Sequence, residues 1–295
     1  MPIDPTQLAA LSAILRLGSF EAAAASLNVT PSAISQRLKA LEERIGATLV
    51  TRSQPCTATP LGTRLAKHAE DVALLEAAAL GDIAKEAALP ARLTLAVPAD
   101  CMDTWLVPAL AAAPAMLFDL RIDDQDTADE WLRRGAVSAA VTGKNKAVTG
   151  CDLHPLGALR YSAVASPDYM ARYFPAGITA ECLASAPMLT FTSKDQLQAR
   201  WITAKTGRSL YPPTHQMPST PAFDKAALTG MAWGMIPESL IRDHLASGRL
   251  VTLDATLPMD VPLYWQVTRA MAPALAPLTR EILRIGLKQL RPLQR

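Results

Sequence analysis

Thr30-Pro31-Ser32-Ala33-Ile34-Ser35-Gln36-Arg37-Leu38-Lys39 is the stretch on which the reading of this 295-residue chain turns. Thr30 is a capping residue and Pro31 suits the first helical position, so a helix begins there. Ile34, Leu38, Leu41 and Ile45 recur at helical spacing and give it one apolar face, and Gly46 stops it. The opposite face carries Ser32, Ser35, Gln36 and Lys39. Ser and Gln can donate and accept at base edges, while Arg37 and Lys39 suit phosphate or guanine.

Working outward, residues 6–17 read as a helix with Leu8, Leu11, Ile14, Leu15 and Leu17 apolar and Gly18 as its stop. Ser19 caps a short second helix holding Phe20, Ala23, Ala24 and Leu27, and Asn28-Val29 makes the turn. Two helices joined by a tight turn, the second with a polar outer face, match a helix-turn-helix. Residues 49–52 and 57–59 then flank Ser53-Gln54-Pro55-Cys56 as a short wing with Arg52 at its base. The charge agrees in sign. Residues 1–67 carry seven basic against four acidic side chains, and the remainder carries 22 against 23.

From Leu61 to Leu89 there is no proline, although the chain has 23. Thr59-Pro60 opens this stretch as a single helix of roughly 25 residues, about 40 Å long. Its stripe of Leu61, Leu65, Val72, Leu75, Ala79 and Ile83 needs a partner to cover it, which predicts a dimerisation helix.

The motif set Ser19-Phe20-Glu21-Ala22-Ala23-Ala24, Leu27, Thr30-Pro31-Ser32-Ala33-Ile34-Ser35-Gln36-Arg37, Leu41-Glu42, Gly46, Leu49 and Arg52 resembles the winged helix of LysR-type transcriptional regulators. The order, the chain length and the long linking helix extend the resemblance over the whole chain. It implies a homodimer or dimer of dimers that binds double-stranded DNA and has RNA polymerase as a further partner. It also implies DNA-contact roles for Thr30, Ser32, Ser35, Gln36, Arg37 and Arg52, to which the reading of the helix face adds Lys39. The wing departs from the pattern of many members, with Gln54-Pro55-Cys56 where they have basic residues.

Beyond Arg92, strands and helices alternate, which indicates an α/β domain. Residues 93–97, 117–122 and 136–141 read as strands, with helices over 104–113 and 127–134. A second set begins near 160–165 and returns at 263–267, and a last helix covers 277–290. Two crossovers near 161 and 268 predict a hinged cleft like that of periplasmic binding proteins. The expected fold is α/β overall: a winged helix-turn-helix (1–58), a linker and dimerisation helix (59–89) and a two-lobed effector-binding domain (90–295). Lobe I takes 90–161 and 268–295, and lobe II takes 162–267.

Ligands of open α/β sheets sit beyond the carboxyl ends of the strands. Asp100, Asp124, Thr142 and the pair Phe191-Thr192 fall at such ends, and Thr104 and Trp105 are expected to open a helix whose amides suit a carboxylate. Asp100 and Asp124 suit an ammonium or guanidinium group, with Trp105 stacking on its stem or charge. The set suits a cationic amino acid. Ala99-Asp100, Thr104-Trp105-Leu106, Leu132-Arg133-Arg134-Gly135, Gly157-Ala158-Leu159 and Met235-Ile236-Pro237 resemble the ArgP/LysG subgroup, also known as chromosome-initiation inhibitors. That likeness implies control of a basic amino-acid exporter or related genes in response to lysine or arginine.

Other classes find no support in the residues. No apolar run reaches the roughly 18–20 residues that span a bilayer, and Met1-Pro2-Ile3-Asp4-Pro5 lacks the features of a secretory signal, which points to the cytoplasm and no membrane. Cys56, Cys101, Cys151 and Cys182 stand too far apart for a disulfide scaffold or zinc ribbon. His68, His154, His215 and His244 do not pair at metal-ligand spacing, and no phosphate-binding loop or nucleophile elbow occurs. No catalytic residue, metal or cofactor is therefore expected. Two rival readings share these features: an architectural binder of replication-origin DNA, and a small-molecule-binding protein whose N-terminal module only dimerises.

Overall fold

The computed structural model describes residues 3–80, 91–113 and 116–293. Three short helices form the N-terminal module: α1 (Pro5–Leu17), α2 (Phe20–Ser26) and α3 (Pro31–Ile45). Each is opened by a polar side chain accepting from a backbone amide, Asp4 from Thr6, Ser19 from Ala22 and Thr30 from Ala33. Asn28, in the turn between α2 and α3, takes the left-handed conformation at φ 52°, which asparagine tolerates better than most residues. Leu11, Ile14, Ala23, Ile34, Leu38 and Leu41 close the core between the helices.

The wing is β1 (Val50–Thr51) paired antiparallel with β2 (Thr57–Ala58). Two contacts seat it. Glu42 of α3 accepts from the Leu49 amide at 2.7 Å. The Cys56 amide donates to the Gly18 carbonyl at 2.8 Å, where a side chain on Gly18 would meet Pro55.

Helix α4 (Pro60–Leu80) follows. Gly62 near its start passes so close to the Leu49 carbonyl that any Cβ there would collide. The expected helix over 59–89 is thus present to Leu80, and its last part lies outside the described residues. Leu74 enters the main core of the C-terminal domain. Two polar ties join the same helix to that domain: Thr94 donates to Glu70 at 2.8 Å and Ser138 to Asp71 at 2.9 Å.

The C-terminal domain begins with β3 (Ala91–Val97), then α5 (Ala99–Cys101), a widened helical turn (Met102–Leu106), α6 (Val107–Ala111), β4 (Met116–Ile122), α7 (Asp129–Arg133) and β5 (Ala139–Thr142). The long β6 (Cys151–Ala165) leads into α8 (Pro167–Tyr173), α9 (Ala180–Ser185), β7 (Met188–Thr190), α10 (Leu197–Thr206), β8 (Thr214–Gln216), α11 (Thr220–Leu228), β9 (Gly234–Pro237), α12 (Glu238–Ala246) and β10 (Val251–Thr252). Strand β11 (Met259–Thr268) and α13 (Ala276–Gln289) close the chain.

The strand order is β10-β6-β11-β5-β3-β4, with β9 pairing the far half of β6. One hydrogen-bonded ladder therefore runs through both lobes, and lobe II adds a separate two-stranded parallel sheet of β7 and β8. Both crossovers run through the shared ladder, because β6 and β11 pair antiparallel from Met259↔Tyr161 to Thr268↔Cys151 with one bulge at Leu263/Tyr264. At Gly157, φ 144° and contact with the Leu290 side chain and the Arg291 carbonyl admit only glycine. The chain end is strapped there by a reciprocal pair of backbone hydrogen bonds between Ala158 and Arg291, at 2.8 and 3.0 Å.

Candidate nucleic-acid interface and effector cleft

Helix α3 presents Ser32, Gln36 and Lys39 to solvent, with Ser35 and Arg37 half-buried. Lys39 is restrained by a 3.6 Å ion pair with Glu43, four residues on along the same exposed face. Thr30 is partly committed to the helix, its hydroxyl oxygen accepting from the Ala33 amide at 3.2 Å. The Arg52 guanidinium lies 5.2 Å from the centre of the Phe20 ring, a cation–π contact between the base of the wing and α2. Between the starts of α2 and α3 and the wing lies a concavity of about 410 Å³, lined by Pro31, Ser32, Ser35, Arg52, Ser53 and Gln54. Ser32, Ser35 and Arg52 are thus gathered on one surface, with Gln36 and Lys39 beside it on α3.

The second site lies past the carboxyl ends of β3 and β4. Asp100, Asp123 and Asp124 of lobe I face Phe191, Asp195 and Gln198 of lobe II across it. The cavity is about 40 Å³, room for about three waters.

Each carboxylate has a distinct environment. Asp100 accepts from the Tyr161 hydroxyl on one oxygen and the Thr220 hydroxyl on the other, both at 2.7 Å. Burial pushes its carboxyl upward and the two donors pull it back only partly. Asp124 is raised to about 6, by burial first and then by the like charges of Asp126 and Asp195. Burial also acts on Asp123, but donors from Thr127, Trp131 and the Asp124 amide hold it below the usual carboxylate range. Asp195 accepts from the Phe191 and Leu197 amides, each at 3.0 Å. The Gln198 side-chain oxygen is buried beside them without a hydrogen-bond partner. Converging carboxylates of this kind repel one another, and a cation between them is the cheapest relief.

Of the residues expected from sequence, Asp100, Asp124 and Phe191 line this cavity, and Thr104, Trp105 and Thr142 do not. The helix expected from residue 104 starts at Ala99. The amides of Thr104 and Trp105 are therefore inside it, where the Thr104 hydroxyl donates to the Asp100 carbonyl at 2.6 Å. The widened turn over Met102–Leu106 rotates Trp105 into the core, where it is 1% exposed and cannot stack on a ligand. Thr142 is fully buried in β5 and accepts from Gln266 at 2.9 Å. Thr192 stands beside the cavity, its hydroxyl accepting from the Lys194 amide at 3.2 Å. Cys101 is buried, its thiol pushed far up by burial and by Asp100, so it is a packing residue.

Tyr161, Asp195, Gln198 and Thr220 are members that sequence reasoning missed. Only Asp195, in the run Thr192-Ser193-Lys194-Asp195 directly after Phe191, carried a local signal.

A winged helix-turn-helix joined by a long helix to a two-lobed domain defines a class: DNA-binding regulators that carry a small-molecule domain. This chain belongs to the LysR family. Residues 5–63 match the bacterial regulatory helix-turn-helix protein, lysR family, and residues 87–285 match the LysR substrate binding domain. It is 43% identical over 278 residues to the HTH-type transcriptional regulator LysG of Mycobacterium tuberculosis, covering 94% of this chain and 91% of the relative. The crystal structure of ArgP from Mycobacterium tuberculosis aligns over 99% of this chain and 100% of its own, with TM-score 0.80 and 41% identity. Full-length LysG from Corynebacterium glutamicum, solved with bound effector Arg, aligns over 98% and 100% with TM-score 0.65 and 35% identity. The chain is accordingly a transcriptional regulator and not an enzyme.

Proposed function

We propose that this regulator senses a basic amino acid, arginine or lysine, in the cleft between its lobes and controls a basic amino-acid exporter or related genes. The observation that supports this most is the convergence of Asp100, Asp123, Asp124 and Asp195 on one cavity. Asp124 takes the side-chain cation, because it is the carboxylate whose charge is least compensated there. Phe191 lines the stem of the ligand, and Asp100 acts through Tyr161 and Thr220. The bound arginine of the Corynebacterium glutamicum relative agrees with this choice.

At the other end, Ser32, Ser35 and Gln36 read base edges, with Arg37, Lys39 and Arg52 on phosphate or guanine and Thr30 at the helix start. The protein works in the cytoplasm as a dimer or dimer of dimers through α4, with RNA polymerase as the downstream partner. The modules divide at about residues 58 and 89, and the lobes at 161 and 268.

The test is a gel shift on the upstream region of a basic amino-acid exporter gene, with and without arginine or lysine. Binding that changes in affinity or footprint on addition of either amino acid supports the reading. Binding that is indifferent to sequence favours the architectural alternative, and no duplex binding at low salt removes the regulatory reading.

A further inference from the structure

The acidic cleft is bridged by cations of the protein's own. Lys194, in the loop after Phe191, reaches across to Asp123 at 3.8 Å. Arg200, on α10, reaches across to Asp126 at 3.3 Å. Both basic groups belong to lobe II and both acids to the loop that follows β4 in lobe I. A third contact joins the lobes where Thr220 of lobe II donates to the buried Asp100 of lobe I. All three contacts join lobe II to lobe I, with Asp123, Asp100 and Thr220 lining the cavity, and with them made the cavity measures about 40 Å³. That is far too small for the body of a basic amino acid, since ligand pockets are commonly about 300–1,000 Å³.

We propose that Lys194 and Arg200 are built-in competitors of the effector: they neutralise the acidic mouth, hold the lobes together, and must leave Asp123 and Asp126 before a basic amino acid enters. This inference rests on the basic-effector reading of the same cleft. The chemistry matches on both sides. Arg200 presents the guanidinium that an arginine ligand would bring, and Lys194 the ammonium that lysine would bring. Exchange of one cation for another at the mouth costs little electrostatic energy, so the cleft is closed to neutral and acidic amino acids while remaining passable to basic ones. Arg200 also acts on Asp124, drawing its carboxyl downward against the burial that raises it. Both bridges are accessible to water, with the Lys194 and Arg200 side chains 59% and 44% exposed. They are accordingly weak enough to be displaced.

The geometry assigns the two residues a role in affinity and selectivity, separate from holding the ligand. Removing a competitor strengthens binding, whereas removing a ligand-binding group weakens it. Isothermal titration of arginine and lysine into the full-length protein, Lys194→Gln, Arg200→Gln and the double variant reads the sign directly. Arg208→Gln serves as the control: it removes the same charge from just past the C-terminal end of α10, where Arg208 pairs with Glu181 at 3.5 Å. The expected result is a Kd about two- to five-fold lower in each single variant. The double variant is expected to be about tenfold tighter, with Arg208→Gln near wild type. Equal or weaker binding in the cleft variants overturns the inference, and so does an equal gain in the control, which would mean a general charge effect. If the wild type binds neither amino acid, the effector reading fails and this inference falls with it. Wild-type binding with an unchanged Kd in the variants removes the competitors alone. All of these side chains are exposed, so loss of folding does not confound the comparison.

Discussion

Asp124 is the residue at which the cleft's chemistry is most exposed to measurement. Its carboxyl is raised to about 6 by burial first, then by Asp126 and Asp195. A cationic ligand favours the ionised form, so its carboxyl falls when the ligand binds. Affinity is then greatest above pH 6 and declines as pH drops through 6, with proton release on binding in that range. Titrating arginine at pH 5, 6 and 7.5 is expected to show this decline, and Asp124→Asn is expected to lose both the decline and at least tenfold in affinity. An Asp124→Asn protein that binds as tightly as wild type would move the cation elsewhere in the cleft. None of this was visible as a magnitude in the sequence. Asp124 was legible as an acid at a strand end, but its environment depends on Asp195, more than seventy positions away.

Elements were legible to the degree that their signals are local. Caps, first-turn prolines and terminal glycines belong to residues within four positions of each helix end: α2 and α3 start where Ser19 and Thr30 place them, α1 and α3 stop at Gly18 and Gly46, and α1 starts at Pro5, one residue before the expected start, because Asp4 caps it. The helical stretch from Ala99 to Ala111 was not so legible, because Pro98-Ala99-Asp100 reads equally as a strand-end loop. One widened turn then changes which way the following side chains point. A phase shift of this kind has no marker in residue type, and it carried Trp105 from an expected ligand surface into the core. The DNA-facing element permits a sharper test. Removing one phosphate-binding cation lowers the slope of log affinity against log salt by about 0.9. Arg52→Ala and Lys39→Ala are each expected to flatten that slope by about one on any duplex. Gln36→Ala is expected to leave the slope and relax the preference among sequences, as fluorescence anisotropy on specific and random duplexes would report. Unaltered slopes in both basic variants would place these side chains off the DNA.

At the scale of the molecule, α4 joins the DNA-binding module to the C-terminal domain. Thr94 and Ser138 of the effector domain donate to Glu70 and Asp71 on this helix, and Leu74 shares the domain's core. Burial already raises the Glu70 carboxyl, and the Thr94 hydroxyl is its main compensation. Thr94→Val removes that donor and is expected to cost about 1–3 kcal/mol in a denaturant melt of the full chain. A change under about 0.3 kcal/mol would show that the tie contributes nothing to the folded state. Such long-range ties, like the meeting of Asp100 with Thr220, could not be read in advance. The sequence announced two lobes and two crossovers, but not that one ladder runs through both lobes.

The β6–β11 pairing has a mechanical consequence. Two strands hydrogen-bonded along their shared length form a ribbon that resists sliding but yields to twist, and the bulge at Leu263/Tyr264 is its softest point. Cleft opening is then expected to be a torsion about this ribbon, with the amides of β6 and β11 staying protected from hydrogen exchange in the absence and presence of arginine. Rapid exchange there on ligand binding would mean that the ladder unzips instead. Because the ribbon's far end continues through β5 and β3, the strand that holds Thr94 against α4, a twist at the cleft is expected to reach the linker helix as a change of angle with no bond broken between them.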